Sequence, residues 1–261
     1  MIAFDIKHFD SVGSTSDEAM RLAVEGVPHG TVVHADEQTM GRGRFSRRWF
    51  SPPGNLYLSI ILRLDIPAAR SVEIGFLAAL AVADAIDAML PPQVRATVKW
   101  PNDVLVNDGK IAGILMEQAD DALILGVGVN VLQEPNRVSY KVSTIVGCGG
   151  LAAVDDTRAR LLTALAERLD AWQRDGFAPV RTAWLARAHP PGSPIRISVG
   201  DRAIVGRFTD LAHDGALIVE TADGPVRVIA GDVALMPRPD AAPPAAFAWR
   251  RSDGRSGGTA D

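Results

Sequence analysis

VRATVKWPNDVLVNDGKIAGILMEQADDALILGVGVNV, residues 94–131, decides the architecture. Val94 to Trp100 is rich in β-branched residues and stops at Pro101, as a strand ending in a fixed turn would. Val104-Leu105-Val106, then Asn107-Asp108-Gly109, then Ile111 to Glu117 reads as a hairpin around a glycine-containing turn. Ala122 to Val131 is a further strand, in which Gly126 and Gly128 mark places where something approaches the backbone closely. A β-sheet is therefore expected at the centre of the chain.

Upstream, residues 71–90 are Ala/Leu-rich and stop at Pro91-Pro92, which predicts a buried helix. Asn55 to Leu64, residues 31–35 and the loosely alternating residues 2–12 read as strands. Ser14-Thr15-Ser16-Asp17-Glu18 opens a short helix. Thr15 with Glu18, and Ser14 with Asp17, have capping-box spacing, and Gly26 can end the helix. Downstream, Leu161, Leu165, Leu169 and Trp172 share one helical face in 157–174, and a second helix is expected over 179–188. Pro190-Pro191-Gly192 marks a boundary. Beyond it, short strands near 195–199, 203–208, 216–221, 225–230 and 233–236 predict a small barrel. Three segments result: a main domain over 1–189, a barrel over 190–237, and a Pro/Gly/Ala/Ser/Arg-rich tail over 238–261 that is expected to be disordered.

Composition narrows the function classes. The chain has 261 residues, 47% hydrophobic and 22% charged, a globular balance. Lys and Arg number 27 against 31 Asp and Glu, a net charge of −4, which argues against a protein that coats nucleic acid. A single cysteine, Cys148, rules out an internal disulfide and a cysteine metal cluster, and fits a reducing compartment. Asp5, Lys7 and Asp10 interrupt the first ten residues, unlike a secretory signal. The longest apolar run, Ile74 to Ala83, is about half of what a membrane helix needs. A cytoplasmic protein without membrane association is expected. The five histidines (8, 29, 34, 189 and 213) show no metal-ligand spacing along the chain.

Three stretches can carry chemistry. Gly41-Arg42-Gly43-Arg44-Phe45-Ser46-Arg47-Arg48-Trp49 packs four guanidiniums into seven residues. An anion among them would relieve their repulsion, with backbone amides at the glycines facing it; a solvated loop or a nucleic-acid contact is the alternative. Lys99-Trp100-Pro101-Asn102-Asp103 places an ammonium at the end of a rigid strand, where it serves a ligand or simply reaches solvent. Gly126-Val127-Gly128-Val129-Asn130 either admits a ligand or meets a packing need. Helix capping alone accounts for Ser14-Thr15-Ser16.

In this order the segments resemble the biotin protein ligases. That family carries Ser-Thr-Asn at a helix start, a Gln shortly before Gly-Arg-Gly-Arg-x-Gly-Arg-x-Trp, then Lys-Trp-Pro-Asn-Asp, Lys-x-Ala-Gly-Ile-Leu and Gly-x-Gly-x-Asn. Here these stand as Ser14 to Ser16, Gln38, Gly41 to Trp49, Lys99 to Asp103, Lys110 to Leu115 and Gly126 to Asn130. Ser16 replaces the Asn and Ser46 replaces the third Gly of the arginine loop.

The resemblance implies an α+β fold, a mixed β-sheet backed by helices in the manner of class II synthetases and biotin-lipoate ligases, with a small C-terminal SH3-like β-barrel. It implies ATP and biotin as substrates with Mg2+, biotinyl-AMP as intermediate, and a biotin carboxyl carrier domain as acceptor. It assigns Lys99 and Arg44 to catalysis. It gives Ser14, Thr15, Ser16, Gln38, Arg42, Gly43, Arg44, Lys99, Gly126 and Gly128 to biotin, and Arg44, Arg47, Lys99 and Asn130 to the nucleotide. The chain begins at these motifs, so no DNA-binding repressor role is expected; a monomer or homodimer is. A lipoate ligase, a nucleic-acid-binding module and a catalytically weak biotin binder are the rival readings.

Overall fold

The structure is a computed structural model that describes residues 2–135, 138, 140–151 and 153–236. The tail read as disordered, 238–261, lies outside the described residues.

Seven strands form the main sheet: β1 (Asp5–Val12), β2 (Thr31–Gln38), β3 (Leu56–Leu62), β4 (Ala96–Lys99), β5 (Asp103–Val106), β6 (Gly109–Ala119) and β7 (Ala122–Val129). Their order is β1-β2-β3-β7-β6-β5-β4. β1 and β2 run parallel, and every other neighbouring pair is antiparallel, so the sheet is mixed as expected. β3, Leu-Tyr-Leu-Ser-Ile-Ile-Leu, is buried at every position because both of its faces are covered. Its alternation sorts the two sides. Ile61 joins Val33 and Ile124 against Ala19, Leu22 and Ala23 of helix α1 (Thr15–Val24). Leu58, Ile60 and Leu62 join the larger core around α2 (Ser71–Asp87). α2 is apolar on all sides because α3 (Val154–Asp175) and α4 (Phe177–Arg187) cover what the sheet leaves exposed.

A second, five-stranded antiparallel sheet follows: β8 (Pro194–Val199), β9 (Arg202–Leu211), β10 (Leu217–Thr221), β11 (Gly224–Val228) and β12 (Asp232–Leu235), in the order β11-β10-β9-β8-β12. It shares its core with the main sheet. Ile195, Ile197, Phe208, Leu217 and Val219 belong to the same buried cluster as α2 and Trp184. Phe76 of α2 stands edge-on to Trp184 and tilted against Phe177. It also fills the space beside Gly215, where an added Cβ would come within 2.5 Å of its ring. The Trp100 indole N–H donates to the Gly215 carbonyl at 3.1 Å. Among the described residues no helix is long and apolar enough to cross a membrane.

Two local expectations change. Ser14 occupies the N-cap of α1 with extended backbone, but no side-chain cap forms. Instead Gln38, arriving from β2, accepts the Thr15 N–H at 2.8 Å on its Oε1. A tertiary partner has taken the donor that a local capping box would serve. In the β5–β6 hairpin, Gly109 is already paired with Val106, so the turn itself is Asn107-Asp108. Both residues have left-handed backbone, φ 51 and 61, which short polar side chains tolerate best after glycine.

If the two sheets share one core, Phe76→Ala should lower unfolding free energy by about 3–5 kcal/mol, measured by urea denaturation. A loss below about 1 kcal/mol would mean that the junction is not packed as one body.

Candidate active site

A cavity of about 1050 Å3 opens between the main sheet, the arginine loop and β12. One wall rests on a chain of small polar groups, of which Thr15, Ser16 and Gln38 reach the cavity while Ser51 and Ser59 stand behind the lining. Ser16 Oγ meets Ser59 Oγ at 3.1 Å, Ser59 donates to Thr15 Oγ1 at 2.8 Å, and Thr15 donates to Gln38 Oε1 at 3.1 Å. Gln38 Nε2 continues to Ser51 Oγ at 2.9 Å, and Ser51 donates to the Trp49 carbonyl at 3.1 Å. Ser14, Thr15, Ser16, Ser51 and Ser59 are all buried, so each needs such partners. Ser14, Thr15, Ser16 and Gln38 all line the cavity. Ser51 and Ser59 support these groups from behind the lining, and the sequence signals only Ser59, as a lone serine inside an otherwise apolar strand.

At the other end two ammonium groups share one carboxylate. β4 and β5 pair Lys99 with Asp103, and Lys99 Nζ stands 2.8 Å from Asp103 Oδ2. Lys110, on the first turn-proximal stretch of β6, places its Nζ 2.5 Å from Asp103 Oδ1. Burial by itself would push the Asp103 carboxyl up; Lys110, then Lys99, by charge and hydrogen bonds, hold it below the usual carboxylate range. The Lys110 ammonium also lies 5.3 Å from the centre of the Trp49 ring. No role was given to Lys110 from sequence, although it opens the Lys-x-Ala-Gly-Ile-Leu segment; the hairpin register brings it to the strand-end lysine.

Arg42, Arg44, Arg47 and Arg48 of the arginine loop all line the cavity, and the first three already have protein carboxylates beside them. Arg42 ion-pairs with Asp17 and, at 3.0 Å, with Glu117. Burial opposes its charge, but those two carboxylates more than offset this and raise its pKa. Arg42 therefore ties the loop to α1 and β6 while still lining the cavity. Arg44 donates to the Gly231 carbonyl at 3.1 Å and lies 3.7 Å from Asp232. Burial, opposed by Asp232, pulls its pKa below the ordinary value. Arg47 Nη2 reaches both Asp232 oxygens at 2.6 Å. The Gly43 amide points inward, donating to the Arg47 carbonyl at 2.7 Å, instead of facing an anion. Phe45 and Ser46 both have φ 55, so Ser46 holds a left-handed backbone where the resembling family has glycine.

The glycines of β7 admit protein before they admit ligand. A Cβ on Gly126 would come 2.9 Å from Ser16 Oγ, and one on Gly128 would come 2.5 Å from Trp49 Nε1. Trp49 lies over Gly128 and Gly113, and its indole nitrogen is buried without a partner. Asn130 is 2% exposed and lies outside the cavity lining. Its Nδ2 donates to the Lys110 and Ser143 carbonyls at 3.2 Å each, so it steadies the start of β6 rather than meeting a nucleotide here.

Residues 9–133 match the biotin/lipoate A/B protein ligase family, and residues 192–236 match the biotin protein ligase C-terminal domain. The biotin--[acetyl-CoA-carboxylase] ligase of Paracoccus denitrificans is 37% identical, over 84% of this chain and 96% of that protein. The bifunctional ligase/repressor BirA of Bacillus subtilis (strain 168) is 34% identical, over 87% of this chain and 73% of that protein. A solved biotin protein ligase from Aquifex aeolicus, in complex with biotin and ATP, superposes with a TM-score of 0.78. It is 25% identical, covering 89% of this chain and 98% of that one. The chain belongs to the biotin/lipoate A/B protein ligase family.

Asp103→Asn removes the charge that balances two lysines and should destabilise the fold by about 3–5 kcal/mol at pH 7. The Asp103 carboxyl is held down in the folded state, so its contribution is present above the unfolded value of about 3.9 and lost as pH falls through the lower folded value. Wild type and variant should thus differ in urea denaturation from neutral pH to about 4 and converge below it. A difference that grew on acidification would contradict the pairing.

Proposed function

We propose that the chain is an ATP-dependent biotin protein ligase that forms biotinyl-AMP from biotin and ATP, then transfers biotin to a lysine of a biotin carboxyl carrier domain. The observation that carries this reading is the Lys99–Asp103–Lys110 cluster at one end of a cavity also lined by the hydrogen-bonded polar groups of Thr15, Ser16 and Gln38.

The first step must bring a carboxylate up to a polyphosphate. An oxygen of the biotin carboxylate forms a bond to the α-phosphorus, and the bond from that phosphorus to the bridging oxygen breaks as pyrophosphate leaves. Negative charge is crowded in the ground state and shifts during the step, so fixed cations lower the barrier. Lys99 and Lys110 are held in place by Asp103 and can share their hydrogen bonds with an incoming phosphate oxygen. Arg44 is desolvated, which strengthens its field, and turns from Gly231 to the phosphate. Arg47 follows when Asp232 releases it. The ureido ring of biotin is neutral and polar, and suits the hydroxyls of Ser14, Thr15 and Ser16 and the amide of Gln38. In the second step the acceptor lysine amine attacks the acyl carbon and AMP leaves. Closure of residues 42–50 over the cavity would shield the anhydride from water.

Magnesium fits as a companion of the ATP phosphates. Of the three carboxylates lining the cavity, Asp103 and Asp232 are already paired with cations and Asp108 is exposed on the β5–β6 turn, so among the described residues no all-protein cage is built for it. Magnesium would neutralise part of the polyphosphate charge. In the same reading residues 1–189 hold the chemistry, 190–237 contribute Asp232 to the cavity, and the enzyme works in the reducing cytoplasm.

ATP–pyrophosphate exchange tests the proposal. Exchange should require biotin, and lipoate should not replace it. Lys99→Ala and Lys110→Ala should each slow it by roughly 100-fold or more, the usual cost of losing one stabilising donor. Exchange that ignores biotin, or near-normal rates in both variants, would overturn the assignment.

A further inference from the structure

We propose that His8, His34 and Asp36 form a binding site for a divalent transition-metal ion of the zinc type, at the outer edge of the main sheet and separate from the ATP site. The parallel register of β1 and β2 sets His8 directly beside His34. Asp36 follows His34 by two residues on the same strand, so it returns to the same face. The spacing along the chain hides this, because the ligands come from two strands.

One ring nitrogen of each histidine and a carboxylate oxygen of Asp36 lie within 4.8 Å of one another. An ion about 2.0–2.2 Å from each donor leaves those donors about 3–4 Å apart, so small side-chain adjustments complete the set. His8 Nε2 already meets Asp36 Oδ1 at 2.9 Å, and the two imidazoles are stacked with centroids 5.0 Å apart. His34 is 2% exposed, and its Nε2 has no partner. A buried polar nitrogen left unpaired is costly. Two imidazoles and one carboxylate, with a further position open to water, match the preferences of Zn2+, Co2+, Ni2+ or Cu2+. Mg2+, which prefers an all-oxygen shell, is not suited to them.

Arg158 of α3 is the built-in opponent. Its Nη1 lies 3.0 Å from His34 Nδ1 and also pairs with Asp155 at 2.8 Å. Whichever ring nitrogen coordinates, this guanidinium either competes for the lone pair or adds like charge. Asp155 gives it an alternative partner when an ion enters. Because β1 is an edge strand, an ion here clips it to β2. None of the three ligands lines the active-site cavity, so the inference stands apart from the ligase reading.

The test uses the full chain without a histidine tag, stripped with chelator and titrated with Zn2+ by calorimetry and with Co2+ by visible absorption. One ion per chain should bind. His8→Ala and Asp36→Ala, both at exposed positions, should each weaken binding by about tenfold or more. Arg158→Gln should tighten it. At a fixed Zn2+ concentration the melting temperature of the wild type should rise more than that of His8→Ala, while both ligand variants keep wild-type biotin-dependent exchange. Absence of saturable one-ion binding, or affinity unchanged in both His8→Ala and Asp36→Ala, would overturn the site.

Discussion

The Asp103 carboxylate, gripped by two ammonium groups, is the constraint around which the site is organised. A lysine at the end of β4 is useful only if its charge is fixed and tolerated in a nearly buried place. Asp103 does both, and it can do so because the β4–β5 turn sets it opposite Lys99. The second lysine depends on the next hairpin, whose two-residue turn begins β6 at Gly109 and directs Lys110 to the same carboxylate. Asn130, just past the end of β7, holds the backbone of Lys110. Three strands and two tight turns thus converge on one anion, and the pair of cations it holds is the feature on which the proposed chemistry rests.

The same logic extends across the cavity. Arg44 and Arg47 are balanced by Asp232, which belongs to the second sheet, and Arg42 by Asp17 and Glu117. A fold can carry so many cations around one hollow only when its own carboxylates compensate them. In the proposed reaction an incoming phosphate would exchange one anion for another instead of entering a field of bare charge. That exchange makes the second sheet part of the site. The shared core around Phe76, Trp184 and Phe208 fixes β12 where Asp232 can serve, so packing far from the cavity has a direct electrostatic consequence.

Much of this was legible from the chain. Long apolar strands, the helix stopped by Pro91-Pro92 and the five short strands after Gly192 are local signals, and they appear in the fold with boundaries moved by a few residues. The site motifs were also legible as a group, because their residue types and order are distinctive. What the sequence did not reveal was partnership. Gln38 caps α1 from another strand, Trp49 fills the space above Gly128, and Asp232 reaches Arg47 from 185 positions away. Each is a long-range contact between side chains, and no local period or propensity encodes it. Arg42 shows the same limit: four arginines within seven residues suggest an anion among them, and all four line the cavity, but the carboxylates on α1 and β6 that hold Arg42 carry no local signal.

The central claim, that cations preset by the protein's own carboxylates are handed to the nucleotide, is tested most directly by a crystal structure with biotin and a nonhydrolysable ATP analogue. The account predicts the α-phosphate within hydrogen-bond distance of Lys99 and Lys110, with Arg44 turned from Gly231 toward a phosphate oxygen. A phosphate chain bound elsewhere, with Arg44 and Arg47 still on Gly231 and Asp232, would contradict it.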